Sequence, residues 1–178
     1  MPRLNVVDPK DESAPAHELL QQIQKKMGKV PGILKGLANS PAALKAYMAM
    51  GQALADAALT YIEQRVVYLV TSEIKGCYYC VCAHGFLAKQ KGLSDEEILR
   101  VRQGTASDPK LKALAEFTKA AVEATGPISQ ETLDAFHAAG YTDAHAAEVA
   151  VIAAQSALTN VFDHIHHPDV DFPKAPKL

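Results

Sequence analysis

The sequence predicts an all-α fold, a single-domain helical bundle of about eight helices, on three observations. Apolar residues recur at helical spacing between legible start and stop signals. No run alternates as a half-buried strand would. Thirty alanines with no tryptophan suit helices that approach one another closely. In chain order, Ser13 and Pro15 open a segment carrying Leu19, Leu20, Ile23 and Met27 that stops at Gly28. Val30-Pro31 opens a short helix through Leu37, and Ser40-Pro41 a longer one to about Leu59. Thr60 and Glu63 have the spacing of a capping box, in which each side chain bonds the other's backbone amide; that helix runs to about Lys75 and stops at Gly76. A cysteine-bearing helix follows and ends near Gly92. Ser94 and Glu97 form a second capping-box pattern, with Gly104 as its stop. Asp108-Pro109 starts a helix with Leu111, Leu114, Phe117 and Ala121, and Ser129 and Thr142 begin the last two.

The chain has 178 residues, 48% hydrophobic and 21% charged, which excludes a largely disordered protein and fits one domain. Its net charge of −2 argues against nucleic acid or an anionic membrane as main partner, since both want concentrated positive surface. No apolar run approaches the roughly 18 residues of a membrane span; the candidate Val149–Ala154 stops at Gln155. The first twelve residues carry no apolar signal-peptide core, so a cytoplasmic location is expected. We divide the chain into an N-terminal arm (1–12), a helical domain (13–168) and a C-terminal arm (169–178). A faint repeat at an offset of 82 lays Leu59–His84 over Tyr141–His166, without repeating the cysteines.

Chemistry concentrates in Gly76-Cys-Tyr-Tyr-Cys80-Val-Cys-Ala-His84. Three clustered cysteines are not a dispersed disulfide framework; such a cluster points to redox chemistry or metal binding. If Gly76 ends one helix, Cys77 and Cys80 sit on the first turn of the next, where free amides and the helix dipole stabilise a thiolate. His84, four residues after Cys80, stands on the same face and can take its proton or return one to a leaving group. Cys77 is placed to resolve an oxidised Cys80 into a disulfide. Cys82 lies about 200° around the helix from Cys80 and reads as core. Tyr78 and Tyr79 read as pocket walls. His164-Ile-His-His167 reads as an exposed polar helix end.

The stretch Thr71–His84 resembles the carboxymuconolactone decarboxylase superfamily, specifically its alkyl hydroperoxidase D-like branch. Gly28-Lys-Val-Pro31, Leu37-Ala-Asn-Ser-Pro41, Asn160 and Asp171-Phe-Pro173 carry the resemblance further, over roughly residues 25–175. It implies an all-helical fold intertwined in a homo-oligomer, hexamer or trimer, that reduces a peroxide substrate with thiols and no cofactor. It places the peroxide-attacking thiol on Cys80, the resolving thiol on Cys77 and the proton relay on His84, with an external dithiol as reductant. The family commonly carries a glutamate twelve residues before the first cysteine; this chain has Arg65 there. Glu73 is the residue assigned to replace it, with Glu148 as another candidate, while Glu63 is assigned to its cap. Two further function classes stay open: a lyase decarboxylating a small lactone acid, and a non-enzymatic oligomer that binds zinc or senses redox state.

Overall fold

Small polar residues start most of the helices, each accepting a backbone amide on its side-chain oxygen. Ser40 accepts from Ala43, Thr60 from Glu63, Ser94 from Glu97, Asp108 from Leu111 and Ser129 from Thr132. The computed structural model describes residues 1–178. It comprises α1 (His17–Met27), α2 (Gly32–Leu37), α3 (Pro41–Ala53), a 3₁₀ turn (Leu54–Asp56), α4 (Tyr61–Ile74), α5 (Tyr78–Lys89), α6 (Asp95–Arg102), α7 (Pro109–Glu123), α8 (Gln130–Ala138) and α9 (Asp143–His166). There is no strand, and no helix is long and apolar enough to cross a membrane.

Several boundaries differ from the sequence reading. There are nine α-helices, in line with the about eight expected, and the short helix after Pro31 is one of them. The first helix begins at His17, not at Ser13; Ser13 is instead held in a turn on the carboxylate of Asp11. The Ser40-Pro41 helix stops at Ala53, and the chain bends through the 3₁₀ turn before Leu59. Thr60 and Glu63 do form the full capping box. Ser94 forms only half of one, since Glu97 turns away to accept the amide of Ser107. The two stretches of the internal repeat part structurally at Gly76. Gly76 adopts φ 68°, a left-handed conformation that breaks the first stretch into α4 and α5. Its counterpart is Leu158, inside the unbroken α9.

Two clusters of buried side chains form the interior. The larger wraps α4 with α6, α7, α8 and α9, using Val66, Leu69, Ile98, Leu114 and Ile152. In it Phe136 is stacked between Phe117 and Tyr141, at centroid distances of 4.0 and 4.6 Å. The smaller packs α1, α2 and α3 onto the start of α5, bringing Leu20, Ile33, Leu34, Leu37 and Leu44 against Cys77, Tyr79 and Cys80. Helix α5 bridges the two, because Ala88 near its far end belongs to the larger cluster.

The arms are packed rather than free. The Arg3 amide donates to the His166 carbonyl at 2.7 Å, and Val7 is buried against the α2 region with its amide on the Lys35 carbonyl. The C-terminal arm lies across α5. Asp171 accepts from the Gly32 amide and from the Tyr79 hydroxyl, Phe172 meets the Tyr79 ring edge-on, and the Pro176 carbonyl accepts from Arg102.

One expectation for the end of α9 is corrected. His164 and His167 are exposed, but His166 is fully buried, stacked on Phe162, and neither ring nitrogen has a hydrogen-bond partner. It fills the space that Gly36 leaves: a Cβ on Gly36 would come within 2.5 Å of the His166 Nε2. The missing side chain on α2 and the buried ring on α9 are therefore one packing solution.

Candidate active site

Gly76 turns the chain so that Cys77 becomes the N-cap of α5 and Cys80 falls in its first turn. The Cys77 Sγ accepts the backbone amide of Cys80 at 3.1 Å, a contact that favours negative charge on sulfur. The two cysteines are joined as a disulfide with their Cα atoms 5.3 Å apart. Both are buried. On the α9 side the nearest polar neighbour of Cys80 is the Thr159 hydroxyl, 4.0 Å from its Sγ. Behind it, Ser72, Ser156 and Asn160 form a buried hydrogen-bonded group that joins α4 to α9.

His84 sits one turn further along α5. Its ring stacks on Tyr68 with centroids 4.4 Å apart, and its Nδ1 lies 3.0 Å from Nη1 of Arg65. A guanidinium can only donate, so Nδ1 is the acceptor and the neutral ring carries its proton on Nε2. Burial, and then the charge of Arg65, hold the His84 pKa well below the usual histidine value. The ring is therefore a neutral hydrogen-bond donor, and its only free lone pair is already taken by Arg65. Arg65 lies over two aromatic faces, 4.8 Å from the Tyr61 centroid and 4.2 Å from that of Tyr68. Burial pushes the Tyr68 phenol up to about 12 and raises that of Tyr47, with Arg65 opposing both shifts in part. The Tyr68 hydroxyl donates to Gln155 Oε1.

The structure thus brings Cys77, Cys80 and His84 onto one helix start and engages the carboxylates elsewhere. Glu73 pairs with the buried Arg102 at 2.7 Å, and Arg102 also holds the C-terminal arm. Glu148 accepts the amides of Ala58 and Leu59, both at 2.8 Å, ordering the loop before α4. Glu63 serves its cap and also binds Tyr141 and Lys110; these bonds outweigh burial, which alone would raise it, and hold its pKa down at about 2. Tyr78 is exposed, whereas Tyr79 is buried under the C-terminal arm. Cys82 is a buried free thiol whose sulfur accepts the Ala175 amide. No three His, Cys, Asp or Glu side chains converge as a metal site.

Sequence reasoning missed the Arg65–His84 contact, the place of Thr159 and the strap from Asp171. The first had a signal: Tyr61, Arg65 and Tyr68 are spaced i, i+4, i+7, one helix face. The other two depend on tertiary packing.

Two histidines whose neutral forms are favoured, the partly buried His84 and the fully buried His166, make stability depend on pH. Burial lowers the pKa of His166 as it does that of His84. Below the unfolded histidine value the unfolded chain binds more protons, so stability is full above about pH 6.5 and declines as the pH falls from there. Thermal unfolding should show a plateau in Tm between pH 7 and 8 and a fall from pH 6.5 to 5. His166→Phe should reduce that fall, and an unchanged slope would remove His166 from the account.

Comparison with known proteins places these features. Residues 41–123, spanning α3 to α7, match the model of the carboxymuconolactone decarboxylase family. No curated protein shows significant sequence similarity to the chain. Among solved structures, an uncharacterised peroxidase-related protein with an alkylhydroperoxidase AhpD core from Ralstonia eutropha JMP134 superposes with a TM-score of 0.83 at 24% identity, over 96% of this chain and 92% of that one. A peroxidase-related protein from Silicibacter sp. TM1040 gives 0.80 at 21%, with the same coverage. The debrominase Bmp8 in complex with 2,3,4-tribromopyrrole gives 0.74 at 16%, over 96% of this chain and 94% of its own. At these identities the structural likeness speaks for the fold alone. Residues 41–123 are thus similar to the carboxymuconolactone decarboxylase family, and the chain as a whole carries an AhpD-like helical fold.

Proposed function

We propose that the protein is a thiol-dependent hydroperoxide reductase of the cytoplasm. The observation that carries this reading is the Cys77–Cys80 pair at the start of α5, close enough to cycle between dithiol and disulfide. In the reduced protein the Cys80 thiolate attacks the distal oxygen of ROOH; the O–O bond breaks and, with one proton, ROH leaves and Cys80 becomes a sulfenic acid. Cys77 then attacks the Cys80 sulfur, forming the disulfide and releasing water. An external dithiol reduces the disulfide and is itself oxidised, so each cycle consumes one peroxide and one dithiol. His84 donates a hydrogen bond from its Nε2–H to the departing oxygen, a role that neutral imidazole can fill, while the proton of the alcohol comes from solvent. Glu73, occupied by Arg102, has no part in this scheme.

Exposing the reduced protein to a stoichiometric organic hydroperoxide should remove two hydrogens from the peptide containing Cys77 and Cys80, with equimolar alcohol formed. Alcohol formation without the disulfide would replace this mechanism, and no reaction would end it. The lyase reading makes no use of the cysteine pair. The zinc reading lacks converging ligands.

We also propose that the working form is a homo-oligomer, a trimer or hexamer. Helix α3 buries only Leu44 and leaves Ala42, Ala46, Ala49 and Ala53 exposed. Helix α9 presents Val151, Val161 and Ile165 at 40, 56 and 52% exposure beside several exposed alanines. A lone bundle would turn charged faces outward there. Light scattering at micromolar concentration should give a multiple of the single-chain mass; the single-chain mass itself would sink the proposal.

A further inference from the structure

Where the family carries a carboxylate, this chain holds a cation that nothing in the protein neutralises. Arg65 makes one side-chain hydrogen bond, to His84, and no ion pair. Its Nε is buried without any partner. The contrast with Arg102 is direct: that buried arginine has Glu73 on Nε and the Pro176 carbonyl on Nη1. The phenols around Arg65 cannot supply the missing charge, since Tyr47 and Tyr68 are held in their neutral forms by burial. A second cation faces the same shelf. Lys91 Nζ stands 5.8 Å from the centroid of Tyr61, the ring that Arg65 also covers, and it too has no carboxylate partner. An unpaired guanidinium with an orphaned N–H is costly unless an anion completes it. A planar fork of donors beside aromatic faces matches a carboxylate joined to an apolar body.

We propose that Arg65 and Lys91 form an anion subsite beside His84, and that the substrate is an organic hydroperoxide carrying a carboxylate, its apolar part resting on Tyr61 and Tyr68. The substrate class rests on the hydroperoxide reading above; the subsite does not. Arg65 contacts His84, which stands one helical turn from Cys80, so a carboxylate held there is linked to the reactive helix through that imidazole. Placing the bound charge at a fixed distance from the thiol would orient the peroxide for attack.

Benzoate and benzamide test the subsite without any turnover, being nearly the same shape and differing in charge. Calorimetric titration of the intact reduced protein should show benzoate binding at least about tenfold more tightly than benzamide, the scale of a charge-assisted bond. Arg65→Gln should erase that difference, Arg65→Lys should keep part of it, and Lys91→Gln should weaken benzoate by a smaller factor. Equal binding of the two probes overturns the proposal, and that comparison needs no variant to fold. Inorganic phosphate binding as tightly as benzoate overturns the assignment of a carboxylate on an aromatic shelf. Absence of benzoate binding together with a changed light-scattering mass for Arg65→Gln also overturns it, because the anion is then a carboxylate from a second copy of the chain. If benzoate discriminates as expected but hydroperoxides are not consumed, the subsite stands and the hydroperoxide chemistry falls. If hydroperoxides are consumed but benzoate and benzamide bind alike, the subsite alone falls.

Discussion

Cys80→Ser is expected to abolish hydroperoxide consumption while leaving helicity and assembly unchanged. Serine is close in size and polarity at a buried site, and the first turn of α5 gains its order from backbone bonds that the substitution leaves in place. A hydroxyl at that position cannot ionise near neutral pH, so attack on the O–O bond has no nucleophile. Cys77→Ser should behave differently. It should consume one equivalent of peroxide and stop, with a sulfenic acid on Cys80 that dimedone traps, because no partner thiol remains to close the disulfide. Inactivity of Cys82→Ser with an active Cys80→Ser would reverse the assignment of faces on α5. The structure gives Cys82 a different neighbourhood, under the C-terminal arm with the Ala175 amide on its sulfur.

The second large effect concerns His84. His84→Leu should lower the rate of Cys80 oxidation by about 10²-fold, the usual loss for one donor aimed at developing negative charge. His84→Gln should recover most of it, to within about tenfold of the parent, because glutamine can accept from Arg65 and still donate from its amide nitrogen. The parent rate attributable to His84 should be flat between pH 6 and 8, since its lowered pKa keeps the ring neutral throughout. A glutamine variant as slow as the leucine variant would show that the ring must titrate, and the donor role would be lost. Stopped-flow measurement of the reduced protein with excess peroxide separates these outcomes.

Most of the fold was readable because its punctuation is local. Thr60, Ser40, Asp108 and Ser129 act on amides three residues away, and Gly76 acts through its own φ, so short stretches of sequence suffice to place them. The cysteine pair was readable for the same reason. The misplaced features are those whose partners are distant in the chain. Glu97 satisfies the Ser94 box on paper but is claimed by Ser107. Glu73 stood near the thiols along α4, yet it belongs to Arg102, 29 residues on. His166 looked like part of a solvated tail because nothing local reveals that Gly36, on another helix, leaves room for its ring. Arg65 registered as a departure from a family pattern; only packing shows that it meets the same imidazole that the relay would have used.

The strap from Asp171 to Pro176 gives the site a history during synthesis. Its contacts with Gly32, Tyr79, Cys82 and Arg102 join residues that leave the ribosome far apart in time. At roughly 5–20 residues per second, the segment that covers α5 emerges about 5–20 s after the cysteines it covers. During that interval the nascent thiols meet the thiol–disulfide balance of the surrounding compartment without their final cover. Slowing elongation after residue 90 lengthens the interval in which the thiols stand uncovered.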